Sequence, residues 1–292
     1  MNQSSQTPSQ RNPVPRRAPL EAACHAFALS HKGHVRENNE DQYLIANVTS
    51  AMQVVSASMC ETRVYFGSAP SSLFAVADGM GGHAKGEHAS ALALNSVENF
   101  ILRTLGRVTP FGFQQAQELL KACFQTADAT VFGSSERDAA LRGMGTTMTL
   151  ALLTGNELHL AHAGDSRAYL LRKGTLYRLT RDHTVAGELA GQGIINAQEA
   201  EEHPLRHVVT NFVGGGQLGV SPDLAQIQVT VGDRVLLATD GLTDLVKEDA
   251  LKEILAAELS PETSAGRLVD AALNAGGTDN VTALVVTFDA MA

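Results

Sequence analysis

TTMTLALLTGNELHLAHAG, Thr146–Gly164, decides the fold class. Two apolar runs flank Thr154-Gly155-Asn156, and a short Gly-containing break between such runs signals a β-hairpin. SRAYLLRKGTLYRLT, Ser166–Thr180, repeats the form around Lys173-Gly174. LAQIQVTVGDRVLLATDG, Leu224–Gly241, reads as two more strands around Gly232-Asp233. Upstream, FALSHKG, DQYLIANV and SLFAVA read as strands, and VTALVVTF at Val281–Phe288 closes the chain as another. Strands that arrive in hairpins pair antiparallel, and helices then cover the outer faces of such sheets.

Helical periodicity fills the gaps. Gly86–Thr104 puts Ala89, Leu92, Ala93, Val97, Phe100 and Ile101 on one face. A second helix is predicted over Phe113–Phe132, and two more near 248–258 and 261–275. The last carries Ser260 as N-cap and Pro261 at its first position. Residues 49–71 read as an irregular, Ser-rich insertion with one short strand in TRVYFG. Residues 182–216 are polar, His-rich and Gly-rich, with short helical pieces such as NAQEAEEH. Residues 1–22 are rich in Gln, Ser and Pro and lack an apolar h-region, which predicts a disordered tail rather than a secretory signal. Residues 23–292 are left as one folded domain.

Composition narrows the partners. A hydrophobic share of 44% against 18% charged residues suits a globular core. The formal net charge of −9 argues against nucleic acid, whose phosphates are held by Lys and Arg. No apolar run of about 18 residues is present, so no membrane helix is expected. Cys24, Cys60 and Cys123 have no paired spacing and none opens a C-x5-R loop, which fits a reducing, cytoplasmic setting.

Chemistry-bearing residues gather at strand boundaries. Asp78, Asp165 and Asp240 each follow an apolar run, while Asp41 and Asp279 each precede one. A single Asp-Gly after a strand is ordinarily a turn. Five such aspartates either cap separate turns or converge. If they converge, two carboxylates about 4 Å apart repel by roughly 4 kcal/mol at an effective dielectric near 20. Cations must then be present, and an oxygen-only set with no Cys selects hard ions such as Mg2+, Mn2+ or Ca2+. The EF-hand loop pattern is absent.

The loop after Asp78 invites other readings. Gly79-Met80-Gly81-Gly82-His83-Ala84 formally matches the dinucleotide fingerprint G-x-G-x-x-A. The antiparallel surroundings, and the lack of an acidic strand end about 20 residues on, count against it. The P-loop pattern fails because Gly86, not Ser or Thr, follows Lys85. The glycines instead let the backbone pass close to an ion, so that the Gly79 carbonyl can coordinate.

Seven segments together resemble one family. R-E-N-N-E-D at 36–41, A-D-G-M-G-G-H at 77–83, G-M-G-T-T at 143–147 and A-G-D-S-R at 163–167 are followed by three more. These are H-P-L-R at 203–206, A-T-D-G-L-T-D at 238–244 and G-G-T-D-N-V-T at 276–282. In this order they are similar to the motifs of metal-dependent serine/threonine protein phosphatases of type 2C, bacterial members most of all, over about residues 24–290. The resemblance implies an α/β (α+β) four-layer sandwich: two packed antiparallel β-sheets, each covered by antiparallel α-helices. It makes residues 23–292 the catalytic domain, with 182–216 as a flap beside the active site.

It also implies roles. Asp78 would bridge two Mn2+ or Mg2+ ions, with the Gly79 carbonyl on one and Asp240 and Asp279 on the other. Glu40 and Asp41 would sit at or just outside the coordinating set, and Asp165 would help hold a weaker third ion. Arg36 would hold the substrate phosphate while a water activated between the two ions attacks phosphorus. The implied function is hydrolysis of phosphoserine and phosphothreonine in phosphoproteins by a cytoplasmic monomer opposing a bacterial Ser/Thr kinase. A non-catalytic, phosphoprotein-binding or metal-sensing relative is the competing class. Two positions depart from the pattern. Met80 stands where many members have the histidine proposed as general acid, which makes His83 a substitute candidate. Asn211 stands where bacterial relatives often have arginine.

Overall fold

A computed structural model of the chain describes residues 22–48, 51–58, 64–66, 71–82, 84–105, 113–216 and 218–290. The predicted tail lies, Ala22 excepted, outside the described residues. One sheet runs from Ala22–His31 (β1) through Val281–Ala290 (β14), Arg234–Ala238 (β13) and Arg167–Arg172 (β9) to Thr175–Arg178 (β10). The second runs Asp223–Gln228 (β12), Glu157–Ala163 (β8), Met148–Thr154 (β7), Ser71–Met80 (β5), Asp41–Val48 (β2), Ala51–Ala57 (β3) and Val64–Phe66 (β4). Gly145–Thr146 (β6) and Val213–Gly214 (β11) pair with each other at its end, and β6 also pairs β5. Neighbours in both sheets are antiparallel.

The turns that decided the reading form as their residues require. Gly155 opens the two-residue β7–β8 turn at φ 61°, while Asn156 needs no positive φ. Lys173 and Gly174 both take positive φ, 50° and 75°, in the β9–β10 hairpin. Primed turns of this kind match the twist of the strands they join.

Side chains alternate across each strand, and on central strands such as β5 and β14 both faces are apolar because both are covered. Leu73, Ala75 and Ala77 of β5 face one helical layer, while Phe74 and Val76 face the opposite sheet. On β14, Leu284, Val286 and Phe288 fill the space between the sheets, and Val281, Ala283 and Val285 face outward. The first helical layer is Ala84–Leu105 (α1) and Phe113–Arg137 (α2), whose Ala93, Val97 and Phe124 pack on β2, β5 and β7. Short helices Val185–Gly191 (α3) and Ala197–Glu201 (α4) lie within residues 182–216, α4 with a full capping box between Asn196 and Glu199. Asp240–Thr243 (α5), Glu248–Ala256 (α6) and Pro261–Asn274 (α7) complete the other layer, and Ser260 Oγ caps α7 through the Thr263 amide at 3.2 Å. The order is helix, sheet, sheet, helix. The expected α+β sandwich is therefore present.

Two details differ from the sequence reading. Residues 49–71 contain two strands, β3 and β4, which extend the second sheet. The strands around Gly232-Asp233 do not form a hairpin: β12 pairs β8 in one sheet and β13 lies between β9 and β14 in the other. The crossing is fixed by Asp233, which is buried and accepts from Arg172 at 2.5 Å and from the Thr230 amide at 2.8 Å. A Gly-Asp turn reads the same whether the strands beside it pair with each other or with other neighbours, so turn chemistry could not separate the half-exposed β12 from the buried β13.

No helix among the described residues is long and apolar enough to cross a membrane.

Candidate metal centre

The five strand-boundary aspartates do come together, because the two sheets present their ends at the same edge of the sandwich. Asp41 opens β2 directly opposite Asp78 near the end of β5. Asp165 follows β8, Asp240 follows β13, and Asp279 precedes β14, the neighbour of β13. A cleft of about 590 Å³ is lined by Arg36, Glu40, Asp78, Asp165, Asp240 and Asp279. The Gly79 backbone and Met80 reach the same cleft, while Asp41 lies buried.

Threonines and one asparagine of the motifs hold this arrangement. The Asp78 amide donates to Thr147 Oγ1 at 3.0 Å, and the Asp78 carbonyl accepts from the Thr147 amide and from Thr146 Oγ1. Thr147 Oγ1 also contacts Ser166 Oγ at 2.8 Å, which ties β5 to the turn bearing Asp165. Asp41 Oδ2 accepts from Thr239 Oγ1 at 2.8 Å and Thr282 Oγ1 at 2.7 Å, so that one oxygen joins the two sheets. Asn280 braces the loop that carries Arg36: it accepts from the Glu40 amide at 2.8 Å and donates to the Asn38 and Lys32 carbonyls. Sequence reading placed the acids but not these braces, whose partners lie from 19 to 248 residues apart.

Glycines act here by size. A Cβ on Gly79 would stand 2.1 Å from the Gly86 carbonyl oxygen, and one on Gly86 would stand 2.0 Å from Glu40 Oε2. Gly79 and Gly86 thus let α1, the end of β5 and the Glu40 carboxylate pack together. Gly81 and Gly82 turn the chain with φ of 124° and 75°. The dinucleotide reading fails on topology, since β5 is an interior antiparallel strand between β2 and β7.

Charge is uncompensated at this edge. Burial pushes the Asp41 carboxyl up to about 7, against the pull of Thr282 and Thr239, and Asp240 and Asp279 add repulsion. Burial and the charge of Asp244 push Asp240 up to about 6. Burial, then Asp240, Asp41 and Asp165, hold Asp78 well above its ordinary value, and burial with Asp240 does the same to Asp165. Asp41 Oδ1 and Asp240 Oδ1 are shut off from solvent with no hydrogen-bond partner. Carboxylates in this state take either protons or cations. The donors are oxygens, orphaned oxygens are present, and divalent ions would neutralise the cluster, so these residues fit a hard-ion centre.

Arg36 lies at the rim, 54% exposed at its side chain, and its Nη2 donates to Asp279 Oδ2 at 2.6 Å. That bond holds its guanidinium above its ordinary pKa. His83 lies outside the described residues. Among the described residues, the histidine that lines the cleft is His207, directly after H-P-L-R, together with Arg206 and Asp244. Sequence reading passed over His207 and did not distinguish Asp244 from its neighbours. Asn211 ties the end of this stretch to Ser221: its Nδ2 donates to the Ser221 carbonyl at 2.7 Å and its Oδ1 accepts from the Ser221 amide at 3.1 Å.

Comparison with known proteins gives this edge its context. The sequence profile of the family described as Protein phosphatase 2C matches residues 56–275. The chain belongs to the protein phosphatase 2C family. Among curated relatives, the serine/threonine protein phosphatase PstP of Mycobacterium tuberculosis is 38% identical over 258 residues, 88% of this chain. The chain spans only 44% of the length of that relative. The serine/threonine phosphatase stp of Listeria welshimeri is 30% identical over 263 residues, covering 90% of this chain and 95% of its own. Among solved structures, M. tuberculosis PstP/Ppp aligns with a TM-score of 0.73 at 35% identity, over 91% of this chain and 99% of that one. The catalytic domain of PstP in complex with two manganese ions aligns with a TM-score of 0.71 at 34% identity, over 92% and 99%. The type 2C sandwich and the acidic edge described above thus occur together in this chain.

Proposed function

We propose that the chain is a metal-dependent protein serine/threonine phosphatase that hydrolyses phosphoserine and phosphothreonine in phosphoproteins. The observation that carries this reading is the convergence of Asp78, Asp165, Asp240, Asp279 and Arg36 on one cleft. Asp78 and the Gly79 carbonyl would hold one Mn2+ or Mg2+ ion. Asp78, Asp240 and Asp279 would hold a second, with Glu40 and Asp41 at or just outside the coordinating set. Asp165 would contribute to a weaker third. Bound there, two divalent ions supply activation of a water and positive charge for phosphoryl oxygens.

The chain's own residues do the rest. The carboxylates fix where positive charge can sit, and the Thr239 and Thr282 hydroxyls keep Asp41 from swinging into the cleft. Arg36 offers a planar fork of donors to phosphate oxygens, and one of its amine groups already rests on Asp279. Met80 has no proton to give, which leaves protonation of the departing serine or threonine oxygen to His83 or to water. Residues 182–216 form the flap beside the cleft, where substrate choice would lie. In the cell the enzyme would act in the cytoplasm, as a monomer, against the products of a Ser/Thr kinase.

Arg36→Ala tests the phosphate role. Loss of a charge-assisted contact of about 1.5–3 kcal/mol raises KM for a phosphothreonine peptide roughly 10- to 100-fold, with a smaller change in kcat. A KM within twofold of wild type removes Arg36 from the substrate site.

A further inference from the structure

The stretch 182–216 carries, near its start and near its end, two side chains that meet: Asn211 Nδ2 lies 3.0 Å from His183 Nδ1. Their neighbours decide which nitrogen bears hydrogen. Asn211 exchanges two bonds with Ser221, accepting at Oδ1 and donating from Nδ2, so its amide cannot be turned over. The second Nδ2 hydrogen is left for His183 Nδ1, and the Gly164 amide donates to the same nitrogen at 3.3 Å. A ring nitrogen that receives two N–H groups has no hydrogen of its own. The buried His183 imidazole is therefore the Nε2–H tautomer, and Nε2 stands 3.1 Å from Asp223 Oδ2.

We propose that His183, fixed in this tautomer by Asn211, is a positioning residue that holds residues 182–216 beside the cleft in the register polypeptide substrates need. The inference rests on the phosphatase reading of the preceding section. His183 itself does not line the cleft. It acts through the segment between it and Asn211, in which Arg206 and His207 do line it. The His183 carbonyl accepts from the Thr210 amide at 2.8 Å, and the Thr184–Val209 bridge continues that closure.

Loss of the ring has two candidate targets, the turn that leads into Asp165 and the stretch itself. The turn is held without the ring. The Gly164 carbonyl accepts from the His183 backbone amide at 2.7 Å and from His162 Nε2 at 3.0 Å. His162 Nε2 faces the carbonyls of Gly164 and Arg181, so it bears the hydrogen that both accept. Ser166 Oγ, one residue past Asp165, contacts Thr147 Oγ1 at 2.8 Å. Asn211 and Asp223, in contrast, bond to His183 through its ring. Cutting those bonds loosens the stretch and spares the turn, so the effect falls on substrates large enough to touch Arg206 and His207.

The test compares His183→Gln with His183→Asn in the Mn2+-loaded full chain. Gln keeps a donor near the place of Nε2 and offers no acceptor at the place of Nδ1. Asn keeps an acceptor near the place of Nδ1 and gives up the contact to Asp223. His183→Gln should raise KM for a phosphothreonine peptide roughly 10-fold, about the worth of one buried hydrogen bond, with a smaller change in kcat. That rise should exceed the one for p-nitrophenyl phosphate, which is too small to touch the stretch, by at least roughly fivefold. His183→Asn should return the peptide KM to within about twofold of wild type. Long-range proton–nitrogen NMR spectra of the Mg2+-loaded wild type should show His183 protonated at Nε2 and bare at Nδ1. A hydrogen on Nδ1 overturns the proposal. So does an Asn variant no better than the Gln variant, or a rise in KM of equal size for both substrates, which would mark general damage to the fold. Wild type with no Mn2+-dependent turnover on either substrate would overturn the phosphatase reading and the recognition role with it, while the spectra would still report the tautomer.

Discussion

Asp240→Asn should lower Mn2+-dependent phosphate release by at least about 100-fold and leave the fold intact. Loss of partners one shell removed from a metal already costs 10- to 100-fold, so removal of a proposed ligand itself should cost the upper end or more. Asn has the shape of Asp, and the Asp240 backbone contacts, such as its carbonyl accepting from the Asp244 amide at 2.8 Å, do not depend on the side chain. What changes is charge, at an oxygen that has no other partner. In the presence of a chelator the variant should melt at or above the wild-type temperature, because one member of a mutually repelling cluster has been neutralised. Lost turnover with retained or raised melting temperature separates a ligand from a structural residue. Activity within fivefold of wild type would remove Asp240 from the metal centre.

Divalent ions should stabilise the protein far more at pH 8 than at pH 5.5. Asp41 at about 7 and Asp240 at about 6 lie above the ordinary carboxylate values near 4. Between those limits the folded chain binds more protons than the unfolded chain does. Stability without cations is therefore greatest below about pH 4, as far as these groups decide it, and falls as pH rises through 7. Three units on Asp41 alone correspond to on the order of 4 kcal/mol at most. A change of that order moves the melting temperature of a domain this large by about 10 °C. Mn2+ replaces the missing protons, so its effect on melting temperature grows with pH across this window. A Mn2+ shift no larger at pH 8 than at pH 5.5 would show that the carboxylates are not uncompensated.

Much of this was legible in the sequence because its signals are local. Gly155 and the Lys173-Gly174 pair announce antiparallel pairing through turn chemistry, and Ser260-Pro261 announces α7. The aspartates stood out by recurring at strand boundaries, and the ordered motifs attached them to a family. What stayed hidden depends on contacts distant in the chain. Asn280 bracing the Glu40 loop and Thr282 holding Asp41 span about 240 residues. Gly86 looks like an ordinary helix glycine until the Glu40 carboxylate is found against it. The crossing at Gly232-Asp233 was hidden because a Gly-Asp turn reads the same whether its flanking strands pair with each other or, as here, with other neighbours. His207 was hidden because one histidine in a polar stretch stands out only once it is seen beside Asp244.

The most direct test of the central claim is phosphate release from a phosphothreonine peptide by the purified chain, first with Mn2+ and then after chelation. Turnover that requires Mn2+, stops with the chelator and returns when Mn2+ is restored is the predicted result. Mn2+-loaded, folded protein that releases no phosphate above background, or turnover that persists without divalent ions, would contradict it.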